Sequence, residues 1–333
     1  MRSRTRILFP ALPFYVLTVL CGVALVSVRA QDAASAPGTS AQTPPGDNAR
    51  NVRIYFSAWD SKARIVTDLK LDELKLTVDG VPQKINTFLD PAGAPPLTFE
   101  LLLDVSGSRA DASWSRGSEL PGMEQKYAYA FFSSLLRPGD LAYVREFAET
   151  NKLLATKSAD PEVLYEAVSH EPVPHGPTAL LQAVYDACSD DVATGKWRKA
   201  ILLITDGGEN NSKVSQKVVE NCLRKEDVAV FAVGIFAPVQ GRSPTLEEMN
   251  GPKLLDEFAM DSGGYVWPVT DETEFMDALA ATVQQIRSQY TIGFTGPAPK
   301  PNGKPRKIKL KTSREGITLF APEYMPDGEP LGP

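Results

Sequence analysis

The chain has 333 residues, 35 of them basic and 41 acidic, and 43% of its residues are hydrophobic. This composition is typical of a globular protein and excludes a collagen-like, a fully disordered and a disulfide-scaffold protein. The formal net charge of −6 argues against a nucleic-acid-binding surface, which needs a basic stripe.

The first 30 residues have the pattern of a secretory signal peptide. Three arginines precede an almost uninterrupted apolar run over residues 7–28, and small residues occupy the −3 and −1 positions before a cut after Ala30. The predicted mature chain carries 31 basic and 41 acidic groups, a net charge of −10. The apolar run also reaches the ~20 residues that span a bilayer, so an uncleaved membrane anchor is the alternative. In either case we expect the folded part outside the cytoplasm, as a secreted, periplasmic or cell-surface protein.

Residues 31–50 contain mostly Ala, Ser, Pro, Gly, Gln and Thr without apolar periodicity, which predicts a disordered linker. The following segment, residues 51–95, alternates apolar and polar side chains as β-strands do. Within it, Asp79-Gly80 predicts a hairpin turn before a strand around residues 85–88.

The C-terminal segment, residues 293–325, repeats this pattern. Apolar and basic residues alternate over 307–312, and a Glu315-Gly316 turn follows. Neither this segment nor residues 51–95 has enough strands to be stable alone. We therefore expect the two segments to pair into one small β domain that flanks the central region, with residues 326–333 as a tail.

The central region, residues 96–292, alternates apolar runs of strand length with helical patterns. The strand-like runs cover residues 97–103, 141–147, 152–155, 200–204, 228–235 and 265–269. Between most of them, apolar residues recur at helical spacing, as at Tyr127, Phe131 and Leu135. Strands that alternate with helices form a mostly parallel sheet with helices on both faces. The sequence therefore predicts a doubly wound α/β domain of about six strands.

Three loops of this predicted domain carry oxygen-bearing side chains. Ligands of doubly wound sheets bind beyond the carboxyl ends of the strands where the strand order reverses, and there the first and fourth strands are neighbours. The first strand ends in DVSGS, the fourth ends in TDGG, and GPTAL begins the helix that leads into the fourth strand. These loops would bring five residues into one crevice: Asp104, Ser106, Ser108, Thr178 and Asp206.

Hydroxyl and carboxylate oxygens without His or Cys suit a hard divalent cation. Mg²⁺ prefers six oxygen ligands and keeps several waters, so a site with few charged ligands is normal for it; Mn²⁺ and Ca²⁺ are the alternatives. A cation held by three neutral hydroxyls and two carboxylates stays electrophilic and can accept a carboxylate from another molecule. For DVSGS taken alone, the alternative is a turn whose Asp and Ser cap the next helix.

The three motifs together resemble the metal-ion-dependent adhesion site of von Willebrand factor type A domains. They occur in the order of that family, and the resemblance covers roughly residues 97–290. It implies that Ser106 and Ser108 contact the metal directly and that Thr178 does so in the ligand-bound state. It also implies that Asp104 and Asp206 act through water or hydrogen bonds.

The sequences on both sides of the central region resemble one particular group of proteins with von Willebrand factor type A domains. DLKLDELKLTVDGVPQKINTFLD before the domain and IRSQYTIGFTG after its last helix are similar to segments of the secreted bacterial proteins called VWFA-related acidobacterial domain proteins. One departure is Arg109, at a position where members of that family often carry Met. A cation there would either compete with the metal or help to hold an acidic ligand.

The expected function is a metal-dependent, adhesion-type protein-binding module whose cation ligates an acidic residue of a protein partner. The alternative is a structural envelope component that uses the domain as a metal-stabilised assembly unit. We expect no enzyme. Resemblance to α/β phosphatases that use the aspartate after the first strand would imply a second acid two residues on, where this chain has Ser106. The chain also has neither a Gly-x-Ser-x-Gly elbow nor a His-Glu-x-x-His helix. No nucleic acid is expected as a partner, and a membrane only if the N-terminal segment stays uncleaved.

Two cysteines, Cys188 and Cys222, lie on apolar faces of the helices predicted to flank the fourth strand. Those helices should cover the same face of the sheet and run parallel, with the thiols at similar height. An oxidising compartment would permit a disulfide between them. The alternative is two buried thiols that act as small hydrophobic side chains.

Overall fold

The computed structural model of the chain describes residues 49–107, 123–169, 176–192, 198–236, 243 and 245–330. The predicted signal peptide and nearly all of the predicted linker lie outside the described residues. Within the described ranges, no helix has both the length and the apolar character needed to cross a membrane.

The described elements follow one another as strands and helices in the predicted alternation. The strands are β1 (Arg50–Asp60), β2 (Leu74–Val78), β3 (Val81–Gln83), β4 (Ile85–Leu89), β5 (Leu97–Asp104), β6 (Leu141–Phe147), β7 (Asn151–Ser158), β8 (Arg198–Thr205), β9 (Val228–Ile235), β10 (Val266–Val269), β11 (Tyr290–Gly296), β12 (Ile308–Thr312), β13 (Ile317–Phe320) and β14 (Glu329–Pro330). The helices are α1 (Met123–Leu135), α2 (Pro161–Val168), α3 (Leu180–Asp186), α4 (Gln216–Glu226), α5 (Leu246–Ser262) and α6 (Glu272–Arg287). A π-helical turn, Ala187–Asp191, extends α3.

Six strands form the central sheet in the order β10-β9-β8-β5-β6-β7. All neighbouring pairs are parallel except β6 and β7, which are antiparallel. The first and fourth strands of the central region, β5 and β8, are neighbours, with Leu101 opposite Leu202. The predicted doubly wound, mostly parallel sheet of six strands is confirmed, and its strand order reverses where the sequence placed the three loops.

The central strand β5 shows why this segment becomes a buried strand. Every one of its residues is buried, as the continuous apolar run predicts for a strand covered on both faces. Phe99, Leu101 and Leu103 join the hydrophobic cluster that includes side chains of α1, α2 and α6. Leu102 joins the opposite cluster, with side chains of α3, α4 and α5. This alternation is the two-residue period of a strand, and it fixes three helices on each face of the sheet.

The two ends of the chain form antiparallel sheets beside the central one. One sheet has the order β13-β1-β11-β4, with β14 also paired to β1, and the other has the order β12-β2-β3. Strands from both ends pair in each sheet, and a common cluster of buried side chains fills the space between them. The predicted pairing of the N- and C-terminal segments is therefore confirmed.

We call strands β1–β4 and β11–β14 together the β module. Two of its details differ from the simplest interpretation of the sequence. The Asp79-Gly80 turn joins β2 to the three-residue strand β3, whereas the next strand, β4, pairs with β11 in the other sheet. Strand β11 begins at Tyr290 and pairs with β1 along its whole length, so the chain enters the β module just before residue 292, the predicted end of the central domain.

The structure bonds Cys188, in the π-helical turn that extends α3, to Cys222 on α4. The Cα atoms of the two residues are 6.3 Å apart, within the usual range for a disulfide. Both helices pack on the same face of the central sheet, which is the arrangement that the sequence required for this bond.

Candidate metal centre

The loop after β5 is organised by the carboxylate of Asp104, which is only 5% exposed. Its Oδ1 accepts hydrogen bonds from the backbone N of Ser106 at 2.9 Å and from Ser106 Oγ at 2.6 Å. Its Oδ2 accepts a hydrogen bond from Thr205 Oγ1, at the end of β8, at 2.5 Å. The carboxylate of Asp104 therefore joins the first loop to the third through its two oxygen atoms.

Ser106, two residues after Asp104, is fully buried. Because its hydroxyl donates to Asp104, the hydrogen lies on the Asp104 side of the oxygen and the lone pairs lie on the other sides. That is the orientation a hydroxyl needs to ligate a cation. The other predicted serine ligand, Ser108, lies outside the described residues, as does Arg109.

The loop that precedes α3 is fixed through the backbone of Thr178. The N–H of Thr178 donates to Asn210 Oδ1 at 2.8 Å, and its carbonyl accepts from the N–H groups of Asn210 and Asn211 at 3.0 and 3.1 Å. One residue pair connects this loop to the first, because Gly107 N donates to the carbonyl of Gly176 at 3.0 Å. The backbone of Thr178 is thus held from the third loop, and its side chain is 3% exposed.

The third loop, Asp206-Gly207-Gly208, follows β8. Gly207 N donates to Thr205 Oγ1 at 3.0 Å, and Gly208 N donates to Asp206 Oδ1 at 2.8 Å. A Cβ atom added at Gly208 would lie 3.0 Å from Asp206 Oδ1 and 3.6 Å from Thr178 Oγ1. Both oxygen atoms therefore lie close to Gly208, and a side chain there would crowd Asp206 Oδ1.

The structure brings together the four predicted site residues that it describes. They lie at the carboxyl edge of the central sheet, where β5 and β8 meet, and they are Asp104, Ser106, Thr178 and Asp206. Three loops far apart in the sequence are tied to one another by the hydrogen bonds between Gly107 and Gly176, Thr205 and Asp104, and Asn210 and Thr178.

Sequence reasoning missed the residues that hold these loops in place. Besides Thr205 and Asn210, Glu209 supports the beginning of α3. Its carboxylate accepts hydrogen bonds from the backbone N of Leu181, from the backbone N and Oγ of Ser212 and from the backbone N of Asn211. The N-cap residue of α3 is an alanine without a capping side chain, so Glu209 supplies an acceptor that the helix itself lacks. The signal was the polar run ENNS directly after the glycine pair.

The donor set determines which cations these residues could hold. Among the described residues, no group of three or more His, Cys, Asp and Glu side chains is placed to hold a metal ion. The described part of the crevice offers two carboxylates and two hydroxyls, all of them oxygen donors. Such a set fits Mg²⁺, Mn²⁺ or Ca²⁺.

Comparisons with known proteins give matches among solved structures only. No model of a known protein family matches the chain, and no curated protein matches it either. The conserved protein BatB from Bacteroides thetaiotaomicron is 18% identical, with a TM-score of 0.44; the match covers 57% of this chain and 97% of that one. A von Willebrand factor type A protein from Catenulispora acidiphila is 14% identical, with a TM-score of 0.46; the match covers 85% of this chain and 75% of that one.

A third match is proximal thread matrix protein 1 from the mussel byssus, in a structure whose MIDAS motif is occupied by zinc. It is 16% identical, with a TM-score of 0.46, and the match covers 61% of this chain but only 48% of the mussel protein. The resemblance of the chain to the von Willebrand factor type A family thus rests on its own three motifs and on the sheet that carries them.

Proposed function

We propose that this chain, which resembles von Willebrand factor type A domain proteins, is a secreted or surface-exposed module that binds a protein partner through a divalent cation. The cation would be Mg²⁺, with Mn²⁺ or Ca²⁺ as alternatives, and the partner would contribute an acidic side chain. Ser106 and Thr178, together with Ser108, would be the direct ligands in this proposal. Asp104 and Asp206 would act through hydrogen bonds or water, and no covalent chemistry is required.

The observation that carries the proposal is the position of Asp104. Its two carboxylate oxygens accept hydrogen bonds from residues of two different loops, Ser106 and Thr205. A buried carboxylate in this position would favour a cation nearby, because opposite charges attract strongly where water is excluded. The hydrogen bonds also fix the hydroxyl of Ser106 before any cation arrives, which lowers the entropic cost of binding.

The surrounding residues support the same arrangement. Asn210 fixes the backbone of Thr178, whose hydroxyl lies near Gly208, as Asp206 Oδ1 does. Because hydroxyls carry no charge, they leave the charge of a dication largely uncompensated. A bound Mg²⁺ ion would supply an electrophilic centre that takes a carboxylate oxygen as an additional ligand. Specificity for one partner would then come from the loops around the crevice.

Thermal unfolding of the full chain in EDTA and in added MgCl₂, MnCl₂ or CaCl₂ tests the metal site. A ligand present at 100 times its Kd stabilises the folded state by about 2.7 kcal/mol, which raises the Tm of a domain of this size by about 5–10 °C. We expect this rise for the wild type and for the matched control Asp72→Ala, a change of an exposed carboxylate in the β module. Ser106→Ala should lose the rise. An equal rise in Ser106→Ala, or none in the wild type, would contradict the proposal.

A second measurement tests the carboxylate of the partner. Mn²⁺ bound to the protein enhances the relaxation of water protons, and the enhancement falls when another ligand replaces a bound water. We expect a short peptide containing Asp to reduce the enhancement and the same peptide with Asn to leave it unchanged. If both peptides act alike, the cation does not recognise a carboxylate. A metal-dependent change of sedimentation coefficient without peptide would instead favour the structural assembly unit.

A further inference from the structure

Helix α5 contains a sequence that opposes helix formation, Asn250-Gly251-Pro252, in its interior. Relative to alanine, a glycine inside a helix costs about 1 kcal/mol and a proline about 3 kcal/mol. Pro252 has no N–H group to donate to the carbonyl of Glu248, four residues earlier. The helix nevertheless runs without interruption from Leu246 to Ser262. A helix with such unfavourable residues in its interior needs a stabilising contact with another part of the molecule.

The compensating contact is with the loop that carries Asp206. A Cβ atom added to Gly251 would lie 2.6 Å from the carbonyl oxygen of Asp206 and 2.9 Å from the carbonyl carbon of Gly207. In the other direction, a Cβ atom on Gly207 would lie 2.7 Å from the Cα atom of Gly251. The backbone of the helix therefore touches the backbone of the loop, and neither glycine can be replaced without moving one of them. Gly207 also has a φ of +81°, a conformation that favours glycine independently.

The contact between Gly207 and Gly251 is adjacent in sequence to Asp206, a predicted site residue, and close to Thr205, which donates a hydrogen bond to Asp104. Gly207 directly follows Asp206, and its N–H donates to Thr205 Oγ1, which in turn donates to Asp104. A shift of Gly207 would therefore move the peptide of Asp206 and weaken the hydrogen bond that orients Thr205. Both effects reach the crevice without any change in a residue that contacts the cation.

Helix α5 is fixed strongly enough to serve as a support for the loop. Thr245 and Glu248 form a capping box at its start, and Leu255 and Phe258 are fully buried in the core of the sheet. Near its end, Ser262 Oγ accepts a hydrogen bond from the backbone N of Val230 on β9 at 2.8 Å. The helix is thus held on both sides of Gly251, and it cannot easily follow a displaced loop.

We infer that Gly251 is a positioning residue of the metal site, and that helix α5 sets the affinity for the cation by supporting the loop Asp206-Gly207-Gly208 through the contact between Gly207 and Gly251. The inference rests on the proposed function, since it concerns the same site. Residues that support metal ligands from outside usually change metal affinity by about 10–100-fold when they are replaced. We expect a loss of this size for Gly251→Ala, although the change adds a good helix former to a helix.

Calorimetric titration of the full-length protein with Mn²⁺ alone tests the inference. Asn250→Ala is the matched control, because it is an exposed neighbour in the same helix and gains helix propensity in the same way without approaching the loop. Wild type and Asn250→Ala should bind Mn²⁺ equally, and a folded Gly251→Ala should bind about 10–100-fold more weakly. A folded Gly251→Ala with wild-type affinity would overturn the inference and leave the proposed function intact. Absence of binding by the wild type would overturn both.

A measurement on the wild type alone decides the matter if Gly251→Ala does not fold. Hydrogen exchange measured by mass spectrometry, with and without Mg²⁺, reports which segments the cation stabilises. We expect slower exchange with Mg²⁺ in the loop at 205–209 and also in the part of α5 around Gly251, whereas α4 should exchange at an unchanged rate. Slower exchange confined to the loop would overturn the inference, because a supporting helix would then be insensitive to the state of the site.

Discussion

Helix α5 lies next to two groups of carboxylates, one near Gly251 and one near its C-terminal end. The two groups have different hydrogen-bond partners and different surroundings. Near Gly251 is the crevice, where the carboxylate of Asp104 accepts hydrogen bonds from two hydroxyls and a backbone N–H. Near the C-terminal end of the helix, Asp261 lies beside Glu220 of α4 and Glu257 one turn earlier, on a cavity of about 370 Å³. The C-terminal segment of the β module lines this second region with Pro322 and Tyr324 and adds Glu323.

The second region, which we call the acidic junction (Glu220, Glu257, Asp261 and Glu323), brings four carboxylates together near the C-terminal end of helix α5. Gln216 Nε2 donates to Glu220 Oε1 and to Glu257 Oε2, both at 2.8 Å. Burial, and to a smaller extent the neighbouring carboxylates, raise the pKa of Asp261 to about 7, and Lys307 opposes them. In the crevice, hydrogen-bond donors surround the carboxylate of Asp104; at the junction, burial and the neighbouring carboxylates favour the protonated form of Asp261. The sequence alone does not show which of these two environments a given Asp or Glu will have in the folded protein.

The largest loss of stability should come from removing the disulfide between Cys188 and Cys222, which links the helix next to the crevice to a helix of the acidic junction. It connects the extension of α3, which begins beside Thr178, to α4, which carries Glu220. A bridge across 34 residues stabilises the folded state by about 3–4 kcal/mol. We expect the double variant Cys188→Ala/Cys222→Ala to lose this amount in urea unfolding. Non-reducing mass spectrometry of the wild type checks the bond itself, and two free thiols there would exclude this contribution.

An intermediate effect should follow from Thr205→Val, which sharpens the comparison on the side of the crevice. The change keeps the shape of the side chain but removes one hydrogen-bond donor from Asp104 and one acceptor from Gly207 N. Leaving a buried carboxylate without one of its hydrogen-bond donors costs about 2–3 kcal/mol. Urea unfolding in EDTA should show this loss, and the stabilisation by Mg²⁺ should shrink as well.

The chain offers a control for the same chemical change. Thr291 on β11 is also buried, but its Oγ1 has no hydrogen-bond partner among the described residues. Thr291→Val should therefore leave the free energy of unfolding unchanged or raise it slightly, because no hydrogen bond is lost and a buried polar atom is removed. If both variants lose equal stability, the hydroxyl of Thr205 contributes only through its volume.

The crevice could be predicted from sequence because its residues follow strands that are easy to recognise. The apolar run that ends at Asp104 and the one that ends at Thr205 had to be buried neighbours in a doubly wound sheet, so the loops after them had to meet. Thr178 followed from its place before the next helix. The supports were not predictable in this way. Gly251 lies inside a helix, and only its approach to Gly207 in space gives it a role.

The acidic junction was unpredictable for a related reason. Asp261 and Glu257 are spaced by one helical turn, which on sequence alone indicates a solvated face. In the folded protein, residues 321–326 lie against the end of helix α5, where the backbone N–H of Glu323 donates to the carbonyl of Met260. The surroundings of Asp261 therefore depend on a segment that is distant in the sequence. The Asp79-Gly80 turn gives a further example, since local residues fix the hairpin but do not fix which sheet receives β4.

The smallest effect concerns the pH dependence of stability, and it would test the acidic junction directly. Asp261 in the folded state keeps its proton up to a pH of about 7, whereas an unfolded Asp releases it near pH 4. The folded state therefore binds more protons over this range, and stability falls as the pH rises from about 4 to about 7. Because Asp261 is only partly buried, solvent screening reduces the loss to about 1–2 kcal/mol.

Asp261→Asn should remove that loss, since an amide does not ionise. Urea unfolding at pH 4, 6 and 8 should show the variant equal to the wild type at the lowest pH and about 1–2 kcal/mol more stable at the highest. The exposed Asp72→Asn should follow the wild type at every pH. Asp227, whose pKa burial also raises to about 7, is present in all three proteins, so its contribution cancels. A wild-type pH profile in Asp261→Asn would mean that the junction accepts the charge of Asp261 without cost, and the contrast with the crevice would disappear.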